Sequence, residues 1–443
     1  MKKIVVVLVG FLVVAAVVAP KLVGDVAQDI YQQSIDNYPW DKTQVTVEHR
    51  AYEKSWFSSA AVTAFEIELG LPNMKTVTWV VTSHVQHGPM LFTDDGVKFG
   101  YAYIETKNTF EGLPQEAQDF LDTHLGSDGI QMTSLIDFKQ LSHDTFNIKS
   151  FTISKDEVTA TFGGLILSGT TPLDYSDMKG EVKFPASEVV GEKGKLHIAD
   201  AAGSYHQYIY KNMMMLGDAS VSFPLLEATS DQGNVKLEGL SVDIYSGEKD
   251  GKLNLFESFK VKSIQAPVPL TALQYDIEIK QVSIEAIEAW TDLFAQRQGQ
   301  ETEALSEEQI RQLVDIILQE GLALNQLLQV DGMGGSAMVD WDVKFVGFPD
   351  GKSAFDFQDK EPLLEALDMH LLVEVDEKVV NATPFSAMIA PYIQQGFVSN
   401  QGEKLVVDIT LVQGVTTVNG QEIPRETVLQ LLGIPDHANK NKH

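Results

Sequence analysis

Cysteine is absent from all 443 residues, which removes disulfides, thiolate metal sites, cysteine nucleophiles and a lipidated N-terminal cysteine together. A chain this long can hold a core without disulfides, so the lack says nothing about compartment. Basic residues are scarce. There are 33 Lys and Arg against 62 Asp and Glu, a formal charge of −29. Phosphate backbones need clustered cations and no basic stripe occurs, so no nucleic acid is expected as a partner. The same surplus repels an anionic lipid surface unless divalent cations intervene, and it suits solubility in a salty or crowded compartment.

Catalytic signatures are missing as well. No Gly-x-Ser-x-Gly elbow occurs, so an α/β-hydrolase nucleophile has no foothold. "GEKDGKL" (247–253) is one residue short of a phosphate loop and puts Leu253 where a hydroxyl must bind Mg²⁺. "DGMGGSAMV" (331–339) clusters glycines but lacks the third required one and a following helix. The loops "TDDG", "TSDQGN" and "FPDG" supply oxygens without the ladder of a calcium loop. His84 and His87 stand three apart; on a strand that spacing sends them to opposite faces, and His87 is expected to bond the backbone of the turn that follows. The expectation is therefore a non-enzyme with no catalytic residue, cofactor or metal ligand.

One long apolar run is present. Ile4 to Ala19 carries no polar side chain and follows Lys2 and Lys3. At about 1.5 Å per residue it covers roughly 24 Å, and adding Pro20 to Val23 brings it near the ~30 Å of a bilayer core. A cleaved signal peptide is the rival reading, but Pro20 after Ala19 suits a peptidase poorly. The helical pattern also continues through Leu22, Val26 and Ile30 at spacing four. We read residues 1–24 as a signal anchor, with the inner membrane as partner through residues 4–23. The lysines then stay cytoplasmic and the body faces the periplasm. No later run reaches eighteen apolar residues.

Beyond the anchor, 25–40 reads as a juxtamembrane helix and linker, with "DVAQDIYQQSIDNY" ended by Pro39. Period-two runs punctuated by Gly, Pro, Asn and Asp make 41–282 strand-rich. Two of them, "DEVTATFGGLILSG" and "GNVKLEGLSVDIYSG", carry Gly-Leu pairs 75 positions apart; recurring meander geometry explains the likeness without duplication. Residues 283–330 switch to helical spacing, with Ser306 and Gln309 at capping-box distance. Strands and helices of the same body return at 331–433, including a helix over 383–397 and a tight Asn419-Gly420 hairpin, before a polar tail at 434–443. The fold class implied is α+β: a transmembrane helix, then a large, mainly antiparallel β body with helices packed on it. A long twisted sheet or a part-closed barrel would both fit.

"YEKSWFSSAAVT" (52–63) sets Trp56 and Phe57 beside four small residues. Placed on a strand, the two rings would anchor opposite layers, and Ser58 to Ala61 would leave a thin spot where a helix or strand can approach. This motif, with Tyr52, Trp56, Phe57, Ser58 and Ser59, is followed by "HGP" at His87, Gly88 and Pro89 and by "GVTTVNGQEIP" with Gly414, Asn419 and Gly420. In that order, and with the anchor in register, the three stretches resemble the YdgA-like bacterial envelope proteins, a family of unknown function. Ser55 stands where Gly is more usual in it. The resemblance implies an inner-membrane protein of Gram-negative bacteria facing the periplasm, and it carries no catalytic residues. The function expected is envelope upkeep by binding a partner protein or an apolar, lipid-like ligand. A hydrolase using paired carboxylates on a glycan or peptide is the alternative, and self-association through exposed strand edges is a further reading.

Overall fold

The computed structural model describes residues 19–38, 44–348, 364–425 and 427, apart from 22, 72–73, 94–95, 212–213, 232, 268–269, 296–305 and 385. Most of the proposed anchor, the polar stretch 296–305 and the tail 434–443 thus lie outside the described residues. None of the described helices is long and apolar enough to cross a membrane. The chain divides into two compact units, residues 1–231 and 232–443.

In the first unit, β1 (Val45–Lys54), β2 (Ser58–Leu71) and β3 (Met74–His87) form an antiparallel meander. A small hairpin, β4 (Met90–Thr93) and β5 (Gly96–Phe99), precedes β6 (Ala102–Glu111), which returns beside β3. After the helix Gln115–His124, β7 (Ile130–Ile136) pairs with β6 and with β8 (Leu141–Ile148). A run of long strands follows, each broken once. They are β8 with β9 (Phe151–Lys155), β10 (Val158–Phe162) with β11 (Leu165–Pro172), β12 (Met178–Phe184) with β13 (Ser187–Gly191), and β14 (Gly194–Ile198) with β15 (Ala201–Tyr210). An uninterrupted β16 (Met214–Ser230) closes the series and pairs with both β14 and β15.

The register is the same on both sides of every break. The interruptions at Lys149–Ser150, Gly163–Gly164, Pro185–Ala186 and Ala199–Asp200 therefore line up with Pro224 as one crease across the sheet. Local chemistry explains it. Pro185 and Pro224 have no N–H for a ladder. Gly164 sits at φ 114°, where a Cβ would also meet the Ile148 carbonyl oxygen at 2.9 Å. Side chains take over the lost bonds: Gly163 N–H donates to Ser187 Oγ (2.9 Å) and Ala186 N–H to the Asp200 carboxylate (2.7 Å). β1 and β9 each have a single described neighbour, so this sheet is open and no closed barrel forms among the described residues.

The second unit is another antiparallel sheet. Its strands are β17 (Gly233–Lys249), β18 (Lys252–Gln265), β19 (Leu270–Ser283), β20 (Ala323–Gly332), β21 (Gly335–Phe345) and β22 (Leu367–Asp376). The short β23 (Ser399–Gln401) and β24 (Lys404–Val412) follow, then β25 (Val415–Val418) and β26 (Gln421–Ile423). Tyr275, Leu328, Val339, Val373 and Val407 share one apolar cross-strand row, whereas the adjacent row on the other face alternates acid and leucine: Asp276, Leu327, Asp340, Leu372 and Asp408. The helix starting at Glu307 has the expected capping box, Ser306 with Gln309, but it stops at Ile317. The continuation to 329 read as helix is strand β20 from Ala323: the chain leaves the helical path at the C-cap Leu318 (ψ 72°), and Gly321 at φ 94° lies in the turn that leads into the strand. The expected helix over 383–397 is shorter, Ser386–Gln394, and a separate Glu377–Asn381 precedes it.

Candidate functional site

The apolar face of the first unit is covered by a helix over residues 19–36. Ala27, Ile30 and Tyr31 pack on Ala61, Val85, Ala102, Ile104 and Ile136. Of the apolar residues at spacing four, Ile30 is buried in this seam and Val26 is 39% exposed, while Leu22 lies outside the described residues. Small residues decide the contact. A Cβ at Gly24 would lie 2.8 Å from His87 Nδ1, and Ala27 is fully buried, so the helix docks on the side where its backbone can come closest. Ser59, Ala61 and Thr63 form the matching track on β2, all buried. Tyr31 Oη bonds Thr63 Oγ1 (3.1 Å) and Ser83 Oγ (3.2 Å). Outside this seam, Lys54 pairs with Asp25, and Lys21 Nζ lies 4.8 Å from the Trp56 ring centroid.

His87 stands beneath Gly24, 3% exposed, with Nε2 2.8 Å from Ser59 Oγ. Its ring thus bonds the Ser59 side chain rather than the turn backbone, while its main-chain N–H donates to the Phe57 carbonyl (2.9 Å). Nδ1 has no partner at strict hydrogen-bond geometry. Burial pushes the imidazole below its ordinary pKa, although the nearby backbone of Trp56 and Pro20 favours charge. His84 points to the opposite, exposed face.

Trp56 and Phe57 require a correction. They lie in the β1–β2 turn, closed by Ser55 N–H donating to the Ser58 carbonyl (2.8 Å), and are 44% and 55% exposed. They anchor no layers. Tyr52 sits on β1 with its ring centroid 6.0 Å from that of Tyr31. Gly88 is packed so tightly on the Gly100 backbone that no Cβ fits, and the Gly88–Pro89 peptide is cis. The structure therefore gathers Tyr52, Ser59 and His87 at the helix seam. Gly414, Asn419 and Gly420 belong to hairpins of the second unit: Gly414 turns β24 into β25, and Asn419-Gly420 turns β25 into β26.

Where the helix passes beyond the seam, it roofs a cavity of about 490 Å³. Its walls are mainly apolar, with Ile35, Phe65, Trp79, Met132, Met178 and Met215 among them. At one end polar groups converge. Asp144, on β8, accepts from Ser142 Oγ (2.6 Å) and is also bonded by Ser134. Burial raises its pKa, and these hydroxyls only partly oppose the rise. Tyr175, held at φ 56°, donates its hydroxyl to the Ser34 carbonyl and thereby ties the helix end to the sheet. Burial, then the neighbouring Asp144, pushes the Tyr175 phenol well up. Tyr205 lies across the cross-strand pair Gly169 and Gly180; a Cβ at Gly169 would be 2.6 Å from its hydroxyl. Burial and Asp144 raise the Tyr205 phenol as well.

Sequence reasoning missed Asp144, Tyr175 and Tyr205. A signal for the first was available: in "LSHDTFNI" the inward register is Ser142, Asp144, Phe146 and Ile148, an acid on the same track as two bulky apolar residues. Among the described residues no group of three or more His, Asp or Glu is placed to hold a metal ion. The arrangement can enclose an apolar chain and bond a polar head at one end.

Comparison with known proteins places this architecture in a family. Residues 1–426 match the model described as "Bacterial protein of unknown function (DUF945)", and the chain belongs to that family. No curated protein and no solved structure matches it.

Proposed function

We propose that this member of the family is a non-enzymatic binding protein of the Gram-negative envelope, anchored in the inner membrane, with a periplasmic body that holds an apolar, lipid-like ligand. The observation that supports the reading is the cavity of about 490 Å³ beneath the N-terminal helix. That size falls within the ~300–1,000 Å³ range of small-molecule sites, and an apolar wall with a few converging polar groups is their usual make-up. The roofing helix follows directly on the apolar run Ile4–Ala19. An anchor there would leave the cavity on the order of 20 Å along the helix from the bilayer surface, a short path for an acyl chain. The finer naming as YdgA-like belongs to this proposal and is supported by the ordered motifs around Trp56, His87 and Asn419. Asp144 is the one carboxylate among the described lining residues, so the cavity does not favour chemistry that needs two.

Solvent extraction of the purified chain followed by mass spectrometry tests this reading. Single-chain lipids should co-purify with the wild type and be depleted by Met132→Trp, which fills the cavity. Extracts as clean as those of a control protein would overturn it.

A further inference from the structure

The cavity under the N-terminal helix has an asymmetric charge inventory. No Lys, Arg or His is among its described lining residues, and its one ionisable carboxyl is Asp144. Ser134, Ser142, Tyr175 and Tyr205 stand near that carboxyl, and the amide of Gln207 also lines the cavity. A carboxylate or phosphate head drawn into this end would meet neutral hydroxyl and amide donors, with no counter-charge, and would face Asp144. Burying an anion on those terms is costly. A cation would gain Asp144 and could donate to the surrounding hydroxyl oxygens, but it must leave water for a mainly apolar cavity, and a buried ion pair often fails to repay that desolvation. A neutral hydroxyl head fits best, because it can donate to Asp144 or Gln207 and accept from Tyr205 without bringing charge.

Resting on the binding role above, we propose that the site selects single-chain amphiphiles with an uncharged, hydroxyl-bearing head, of the monoacylglycerol or long-chain alcohol type. It discriminates against the corresponding fatty acids and alkylamines. The apolar walls take the chain, and Asp144 rejects anions.

Displacement of the uncharged fluorescent probe N-phenyl-1-naphthylamine from the delipidated full-length protein, at about pH 7.5, tests this. Monolaurin should displace the probe at about tenfold lower concentration than laurate or dodecylamine, equivalent to about 1.4 kcal/mol. Asp144→Asn should narrow the monolaurin-to-laurate gap to about threefold or less by tightening laurate. Equal displacement by laurate or dodecylamine in the wild type would overturn the proposal, as would a gap that Asp144→Asn leaves unchanged. The wild-type series decides the matter alone should the variant fail to fold. If the wild type takes up no probe, the binding role falls and this inference with it; uptake with equal displacement overturns the inference only.

Discussion

At the scale of single residues, the contact of Gly24 with His87 makes helix docking sensitive to acid. His87 is buried and its pKa is held below the ordinary ~6.5, chiefly by desolvation and further by Lys54, with the backbone of Trp56 and Pro20 and then Asp25 opposing. The undocked state therefore takes up this proton first as pH falls. Stability rises with pH wherever the open state binds more protons, so docking is at full strength above about pH 6.5 and weakens below it, toward the lower folded value. Amide exchange in residues 23–36 should accelerate between about pH 6.5 and 5.5 once intrinsic rates are removed, and His87→Gln should flatten that dependence. A flat wild-type profile would contradict the assignment. The sequence showed this region only in part. The small track Ser59-x-Ala61 was visible as a place for close approach, but which element fills it depends on a contact with Gly24, 35 positions earlier in the chain than Ser59. Trp56 and Phe57 were misread because their turn is marked only by Ser55 and Ser58, weaker turn signals than Gly, Pro, Asn or Asp.

At the scale of elements, the helix over 19–36 shows what hydrophobic spacing leaves open, since it marks a helix without saying which face will dock. Gly24, Ala27, Ile30 and Tyr31 make the interface while Val26 stays exposed, because a close-packed seam favours low profile over bulk. The crease was equally hidden. Each break in the long strands reads as an ordinary local interruption, and only pairing across strands aligns them. Tyr31 gives a test of the seam. Its loss as a hydroxyl leaves Ser83, 1% exposed, without that bond, whereas Thr63 keeps His49 Nδ1 at 3.4 Å. Leaving one buried hydroxyl unsatisfied costs about 1–3 kcal/mol. Tyr31→Phe should therefore speed exchange across residues 27–36 by roughly five- to hundredfold. Adding Ser83→Ala should recover much of that, since replacing both partners by apolar groups is nearly neutral. If the double variant opens as readily as the single one, the bond is not what holds the helix.

At the scale of the whole molecule, charge is the dominant feature, and it was fully legible from composition. The surplus of −29 is spread over surfaces whose ion pairs are mostly exposed, such as Lys179 with Asp177 and Lys404 with Glu374. Pairs of that kind contribute about 0–1 kcal/mol each and cannot offset long-range repulsion among the remaining acids. What composition could not show is where the acids gather. Asp276, Asp340 and Asp408 share one cross-strand row of the second sheet, spaced by Leu327 and Leu372, an arrangement fixed by strand register rather than by sequence proximity. His370 meets only the last of them, at 3.1 Å from Asp408. Repulsion along such a row, and over the surface generally, is screened over about 8 Å at physiological ionic strength but over about 30 Å at 0.01 M. Raising NaCl from about 0.01 M to 0.15 M should therefore increase the thermal midpoint of the protein by a few degrees. Screening is non-specific, so CaCl₂ at matched ionic strength should give a shift of similar size. A midpoint that falls with NaCl would show that attractive pairs outweigh the acid surplus, and a distinctly larger rise with calcium would locate a specific cation site on the acidic face.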